Sequence, residues 1–204
     1  MAGYSFSEDW FSHVADVWEP LLKMAKPTAM LEIGAYEGRA TCFLIERAAA
    51  ERPIEIHCID SWQGGIEHDR RAMHEVEMRF DANIALATAS AAHPVTLRKH
   101  KALSSEALPR LLAEGRGGGF DFAYVDGSHQ APDVLLDAVL VFQLLRVGGY
   151  IVFDDYLWHL ERRGAQDHYN MPKPAIDAFV NIYRRKLNVL RAPLYQLYMQ
   201  KVAA

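Results

Sequence analysis

Four short stretches of this chain carry side chains whose types and spacing could do chemistry. They are Glu32-Ile-Gly34-Ala-Tyr-Glu-Gly38, Asp60 at the end of Ile56-His-Cys-Ile, Tyr124-Val-Asp126-Gly-Ser-His129, and Phe153-Asp154-Asp155. Glycines in a strand-to-helix turn let the backbone approach a ligand closely, and the first N–H groups of the following helix can receive a carboxylate or phosphate. An acidic residue, one apolar residue and then Gly-x-x-x-Gly departs from the G-x-G-x-x-G of dinucleotide sites. Asp60 is placed to accept hydrogen bonds from the two hydroxyls of a ribose, so the first two stretches together suggest a nucleoside with a small charged tail. Asp126 and Asp154 would end neighbouring strands about 4.8 Å apart. Two carboxylates at that separation repel by roughly 3 to 4 kcal/mol at an effective dielectric of 20. A divalent cation such as Mg²⁺, Mn²⁺ or Ca²⁺ would relieve the repulsion, since oxygen ligands suit these hard ions. His129 has an intrinsic pKa suited to taking a hydroxyl proton near neutrality.

Such residues need a sheet to bring them to one rim, and the apolar pattern supplies it. Buried strands are expected at 29–33, 54–60, 95–99, 120–126 and 150–154, alternating with helices. The intervening helices start after the Gly-bearing turn, near Asp69, at Ser104 or Ser105 as N-cap, and at Pro132, the last being stopped by Gly148-Gly149. A leading helix carries Trp10, Val14, Val17, Trp18 and Leu21 at helical spacing, with Pro20 expected to kink or end it. After a helix over 174–186, strands at 188–191 and 195–202 lie three residues apart and should pair antiparallel. The expected fold is an open α/β sheet, mostly parallel, with an antiparallel edge and its ligand beyond the carboxyl ends of the strands.

Composition narrows the field. A chain of 204 residues that is 50% hydrophobic and 24% charged reads as one globular domain, not a disordered one. With 22 Lys+Arg against 26 Asp+Glu, a formal charge of −4, it lacks the positive excess that nucleic-acid backbones require. Glu8 and Asp9 stand where a secretory signal would be basic, and the most apolar run, 134–147, is broken by Asp137, Gln143 and Arg146, which argues against a membrane span. Cys42 and Cys58, in apolar segments, read as buried thiols of a reducing compartment, so the cytoplasm is the expected location. Association into a homo-oligomer stays open. Among the remaining histidines, His13, His93 and His100 read as exposed or helix-flanking and His57 as a strand residue. His68, His74, His159 and His168 fall in segments that could overhang the site. Those segments, 61–92 and 156–171, are candidate substrate or lid elements, the second rich in Trp, Tyr, His and Arg.

ExGxxxG followed by an acidic residue ending strand two resembles the class I S-adenosylmethionine-dependent methyltransferases, over about residues 30–202. The resemblance implies a Rossmann-like, seven-stranded sheet with an antiparallel C-terminal pair. It implies that Glu32, Gly34, Ala35, Tyr36, Gly38 and Thr41 hold the methionine end of the cofactor and Asp60 its ribose. Ser61 and Trp62 would lie near the adenine, and Leu103, Ser104 and Ser105, before Glu106-Ala-Leu-Pro109, resemble the catechol-type pattern lining the adenine site. D-G-x-H ending strand four, with a paired acid ending strand five, is similar to the metal-dependent O-methyltransferases of macrolide sugars. That implies Mg²⁺ at Asp126, Asp154 and Asp155, Asp126 also touching the cofactor, and His129 as general base. The Asp-Asp pair differs from both the Asp-Asn of catechol-type enzymes and the Glu-Asp of the macrolide type.

The activity so implied is O-methylation of a small-molecule or glycoside hydroxyl. Two other classes stay open: a metal-independent methyltransferase or other nucleotide-dependent enzyme on this sheet, and a non-methylating, hydroxylase-like or non-catalytic relative.

Overall fold

A computed structural model describes residues 3–66 and 73–204. Five strands, β1 (Ala29–Ile33), β2 (Ile54–Asp60), β3 (Val95–Lys101), β4 (Phe120–Val125) and β5 (Leu145–Phe153), run parallel. They form one seven-stranded sheet with β6 (Leu187–Val189) and β7 (Leu197–Lys201), in the order β3-β2-β1-β4-β5-β7-β6. β7 is antiparallel to both β5 and β6, as expected. All six residues of β4 are buried, and four of the five in β1, as central strands covered on both faces must be. Helices α1 (Ala15–Ala25), α2 (Arg39–Ala48) and α3 (Met73–Ser90) cover one face, with Trp18, Leu44, Ile45 and Phe80 in its core. Helices α4 (Ser104–Ala113), α5 (Ala131–Leu144) and α6 (Pro172–Tyr183) cover the other, around Leu108, Leu111, Val141, Phe142 and Phe179. β1 pairs with β2 on one side and β4 on the other, so the strand order reverses there and a crevice opens above their carboxyl ends. Among the described residues no helix is long and apolar enough to cross a membrane.

Several boundaries differ from the sequence expectation for identifiable reasons. α1 continues past Pro20 to Ala25 and is capped by Lys26, whose left-handed φ of 46° lets its N–H reach the Leu22 carbonyl at 2.8 Å. Burial of Trp18, Leu21 and Leu22 on both sides of the proline holds the helix together, and Asp16, whose carbonyl loses its partner, is exposed. Gly148-Gly149 does not stop α5, which ends at Leu144. The glycines sit inside β5, where Gly148 adopts φ +86° and a Cβ at Gly149 would meet Leu145 Cγ at 2.9 Å, and there the β4–β5 register is irregular. Neither Ser104 nor Ser105 caps α4, because Leu103 occupies the N-cap position and the helix begins at Ser104. β3 extends two residues further than expected, and His100, on that extension, is half-buried and stacked on His57 with ring centroids 5.0 Å apart. The expected start of the third helix at Asp69, and His68, lie outside the described residues. Cys42 and Cys58 are buried and free.

Candidate active site

The crevice is a cleft of about 880 Å³, and the strand-end residues singled out by the sequence meet in it. Gly34 opens its floor. With φ +82°, a Cβ there would lie 1.8 Å from the Asp126 carbonyl oxygen, so only glycine allows the β1 turn to close against the end of β4. Asp126 N–H donates to the Ile33 carbonyl at 2.8 Å and Gly34 N–H to the Ile59 carbonyl at 2.9 Å, which ties the ends of β1, β2 and β4 together.

Asp60 organises the cleft wall beside it. One carboxylate oxygen accepts from Tyr36 N at 2.9 Å and the other from Trp62 N at 2.7 Å. Both donors are non-glycine residues with left-handed backbone, φ 46° and 51°, a conformation that persists only where the surroundings enforce it. Trp62 is thereby turned away from the cleft: its indole donates to the Tyr36 carbonyl at 2.9 Å and packs on Phe80 at 4.9 Å, with the Lys99 ammonium over its ring. Ser61, Leu103, Ser104 and Ser105 do line the cleft, as do Gly34 and Tyr36.

Glu32, Ala35, Gly38 and Thr41 lie beneath the turn. Glu32 is 1% exposed and accepts from Thr41 Oγ1 at 2.5 Å; burial pushes its carboxyl up to about 8. With Ala35, Gly34, Tyr36, Tyr124 and Asp126 it borders a smaller hollow of about 50 Å³, lined on its N-terminal side by Phe6, Glu8, Trp10 and Phe11. This N-terminal strap was not singled out by sequence as part of the site. It is fastened to the turn by Ser7, whose N–H and Oγ donate to the buried Glu37 carboxylate at 2.6 and 2.7 Å, by an Asp9–Arg39 ion pair of 2.8 Å, and by Trp10 on the Tyr36 ring at 4.9 Å. The aromatic run Tyr4, Phe6, Trp10 and Phe11 was the one signal available. Gly38, at φ +80°, is the N-cap of α2 and faces Phe80 rather than the cleft.

At the opposite side, Asp126, His129 and Asp155 bring one ligand atom each within 4.8 Å of one another, and all three are half-buried. His129 Nε2 lies 2.9 Å from Asp155 Oδ2, and the Trp158 ring covers the imidazole at 4.2 Å. Asp155 adopts φ 52°, the third left-handed side chain on this rim. Two carboxylates and an imidazole are a donor set that fits a divalent cation. Asp154, expected among the ligands, lines the cleft but turns its carboxylate inward. Its Oδ2 accepts from Gln196 Nε2 at 2.8 Å and from Tyr124 Oη, and its Oδ1 from Asp155 N at 2.7 Å. Burial, and then Asp154 and Asp155 nearby, push the Asp126 carboxyl well above the usual carboxylate range; burial and Asp155 raise Asp154.

Of the two segments expected to overhang the site, the first contributes Ser61, Gly64, Gly65, Ile66 and Met73 to the cleft lining and the second Trp158. The second is tied back by Gln130 Nε2 donating to Asn170 Oδ1 at 3.2 Å. His159 and His168 are exposed.

Known proteins resemble this chain in sequence and in fold. Tricin synthase 1 of Oryza sativa subsp. japonica is 35% identical over 142 residues, 68% of this chain and 49% of that protein, so the chain matches about half the length of this relative. The O-methyltransferase of Bacillus cereus, solved with S-adenosylhomocysteine, superposes with a TM-score of 0.65 over 97% of this chain and 84% of that one at 16% identity. TomG of Streptomyces achromogenes, an O-methyltransferase solved with S-adenosylmethionine, superposes with a TM-score of 0.64 over 96% and 82% at 16% identity. These two likenesses are of fold, and they agree with the sheet order and the antiparallel final pair described above. Residues 31–156, from β1 to just past β5, match the family described as a methyltransferase domain. The chain belongs to that methyltransferase family.

Proposed function

We propose that this chain transfers the methyl group of S-adenosylmethionine to a hydroxyl oxygen of a small molecule or glycoside, assisted by a divalent cation, Mg²⁺ or Mn²⁺, and by His129. The observation that carries the reading is that the Gly34–Asp60 cradle and the Asp126–His129–Asp155 group line the same cleft of about 880 Å³. Asp60 would receive the ribose hydroxyls, Ser61, Leu103, Ser104 and Ser105 would border the adenine, and Gly34, Ala35 and Tyr36 would face the methionine end. Glu32, Gly38, Thr41 and Trp62 would act from behind, shaping the turn. Asp126 and Asp155 would hold the cation, with Asp154 contributing from its inward position and His129 standing beside them as the base. A cation bound there supplies charge that acidifies an acceptor hydroxyl. His129 would take the hydroxyl proton, and the imidazolium so formed would keep its Nε2 2.9 Å from the Asp155 carboxylate, which favours the charged form. Trp158 and the strap residue Trp10 offer flat apolar faces at the mouth of the cleft on which a sugar or aryl acceptor could rest. Holding acceptor oxygen and methyl in near-attack geometry can supply roughly 7 to 11 kcal/mol of the barrier.

The His129–Asp155 hydrogen bond favours one alternative, a metal-independent methyltransferase in which the pair alone serves as base. Both readings are tested by incubating the protein with S-adenosylmethionine labelled in its methyl group and a panel of phenolic and sugar hydroxyls, with Mg²⁺ and with a chelator. Transfer that needs Mg²⁺ supports the first reading, and transfer that survives the chelator supports the second. No transfer to oxygen under either condition would speak against both.

A further inference from the structure

Behind the cation group lies a buried chain of hydrogen bonds that ends on an amide, Gln196, in the residue before β7. Gln196 is 1% exposed, and every polar atom of its side chain has a partner. Its Oε1 accepts from Trp18 Nε1 at 2.8 Å and from Tyr198 Oη. An indole nitrogen can only donate, so Trp18 fixes which way the amide points. The Nε2 is left facing Asp154, whose Oδ2 it reaches at 2.8 Å. Tyr124 Oη donates to that same Oδ2 and lies 3.0 Å from Asp126 Oδ2. The chain of contacts therefore runs from α1 through Trp18, Gln196, Asp154 and Tyr124 to Asp126. Packing stiffens it: Trp18 is fully buried and meets Tyr124 edge-on at 4.8 Å, and Tyr198 is 3% exposed.

We propose that Gln196, oriented by Trp18 and Tyr198, is a positioning residue that turns Asp154 inward and, through Tyr124, sets the Asp126 carboxylate for the cation. This rests on the cation reading above. The amide is the group that makes the arrangement one-way. A donor facing Asp154 holds that carboxylate on the inner side of the rim, so Asp126 and Asp155, with His129, remain as the group facing the cleft. Partners that orient ligands without touching the metal are commonly worth 10–100-fold in metal affinity.

Two variants test this with the full chain. Gln196→Glu keeps the shape and still satisfies Trp18 and Tyr198, but replaces the amide donor with a carboxyl that must share a proton with Asp154. Gln196→Met keeps the approximate volume and removes both polar atoms. Calorimetric titration with MnCl₂, and separately with S-adenosylhomocysteine, is expected to show Mn²⁺ binding weakened about 10–100-fold in both variants. S-Adenosylhomocysteine affinity should stay within about threefold, because the Gly34–Asp60 cradle shares no hydrogen bond with Gln196. Near-UV circular dichroism checks folding. Should Gln196→Met fail to fold, Gln196→Glu and Tyr198→Phe, which removes one donor to the amide oxygen, carry the test, and weakened Mn²⁺ binding is expected in each. Wild-type Mn²⁺ binding that is unchanged in the folded variants would overturn the role of Gln196 alone. A wild type that binds S-adenosylhomocysteine but not Mn²⁺ would overturn the cation reading and this inference with it.

Discussion

Glu32→Gln gives a test of the turn that depends on pH with a definite sign. Glu32 is buried, and its carboxyl is raised from 4.5 to about 8 chiefly by burial, with the Thr41 hydroxyl partly opposing. Below pH 4.5 folded and unfolded chains both hold the proton. Between 4.5 and about 8 the unfolded chain releases it while the folded chain keeps it, so folding stability falls as pH rises, and the loss levels off above about 8. At about 1.4 kcal/mol per pH unit, the full cost is on the order of 5 kcal/mol. Glutamine cannot ionise, and its carbonyl oxygen can still accept from Thr41 Oγ1. The variant should therefore match wild type near pH 4.5 and exceed it by several kcal/mol at pH 8.5. Urea denaturation of the cofactor-free protein at pH 5, 6.5, 7.5 and 8.5 measures the difference, in which contributions from Asp126, Asp137 and Asp154 largely cancel because both proteins carry them. A gap between variant and wild type that stays flat across this range would refute the burial argument for Glu32.

Three further perturbations separate the parts of the site. Gly34→Ala forces a Cβ to 1.8 Å from a backbone oxygen at a φ of +82°; a loss of about 3 kcal/mol or more in chemical denaturation is expected, with S-adenosylhomocysteine binding abolished. Asp60→Asn leaves one of the Tyr36 and Trp62 N–H groups facing an amide donor, and should weaken S-adenosylhomocysteine by about 10–100-fold in calorimetry, from a charge-assisted bond worth about 1.5–3 kcal/mol. His129→Ala should lower turnover by about 10²–10⁴-fold while leaving S-adenosylhomocysteine affinity unaltered; unchanged turnover would remove His129 from proton transfer.

Much of this architecture could be read from the sequence because it is written locally. Short, largely apolar runs such as 29–33 and 120–125, bounded by turn residues, read as buried strands, and Gly34 sits where the chain must turn sharply between β1 and α2. What could not be read depends on partners far along the chain. Pro20 suggests that α1 should kink or end there, and the burial of Trp18 against Phe122 and Tyr124, with Leu21 and Leu22 beyond it, explains why the helix continues to Ala25. Asp154 and Asp155 are adjacent and alike in type. That one turns inward and the other outward follows from donors on Tyr124 and Gln196, 30 and 42 residues away. Trp62 next to Asp60 looks like a ligand contact until its left-handed backbone turns the indole into the core. The strap reaches the site through Glu37, an acid inside the Gly-x-x-x-Gly turn whose buried pairing with Ser7 and Arg79 no spacing rule announces.

The most direct test of the account is calorimetric titration of the wild-type protein with S-adenosylhomocysteine, run with Mg²⁺ and again with a chelator. Saturable binding at one site per chain is expected in both conditions, because the Gly34–Asp60 cradle forms without the cation. No binding up to about 1 mM, a free energy weaker than about −4 kcal/mol, would contradict it.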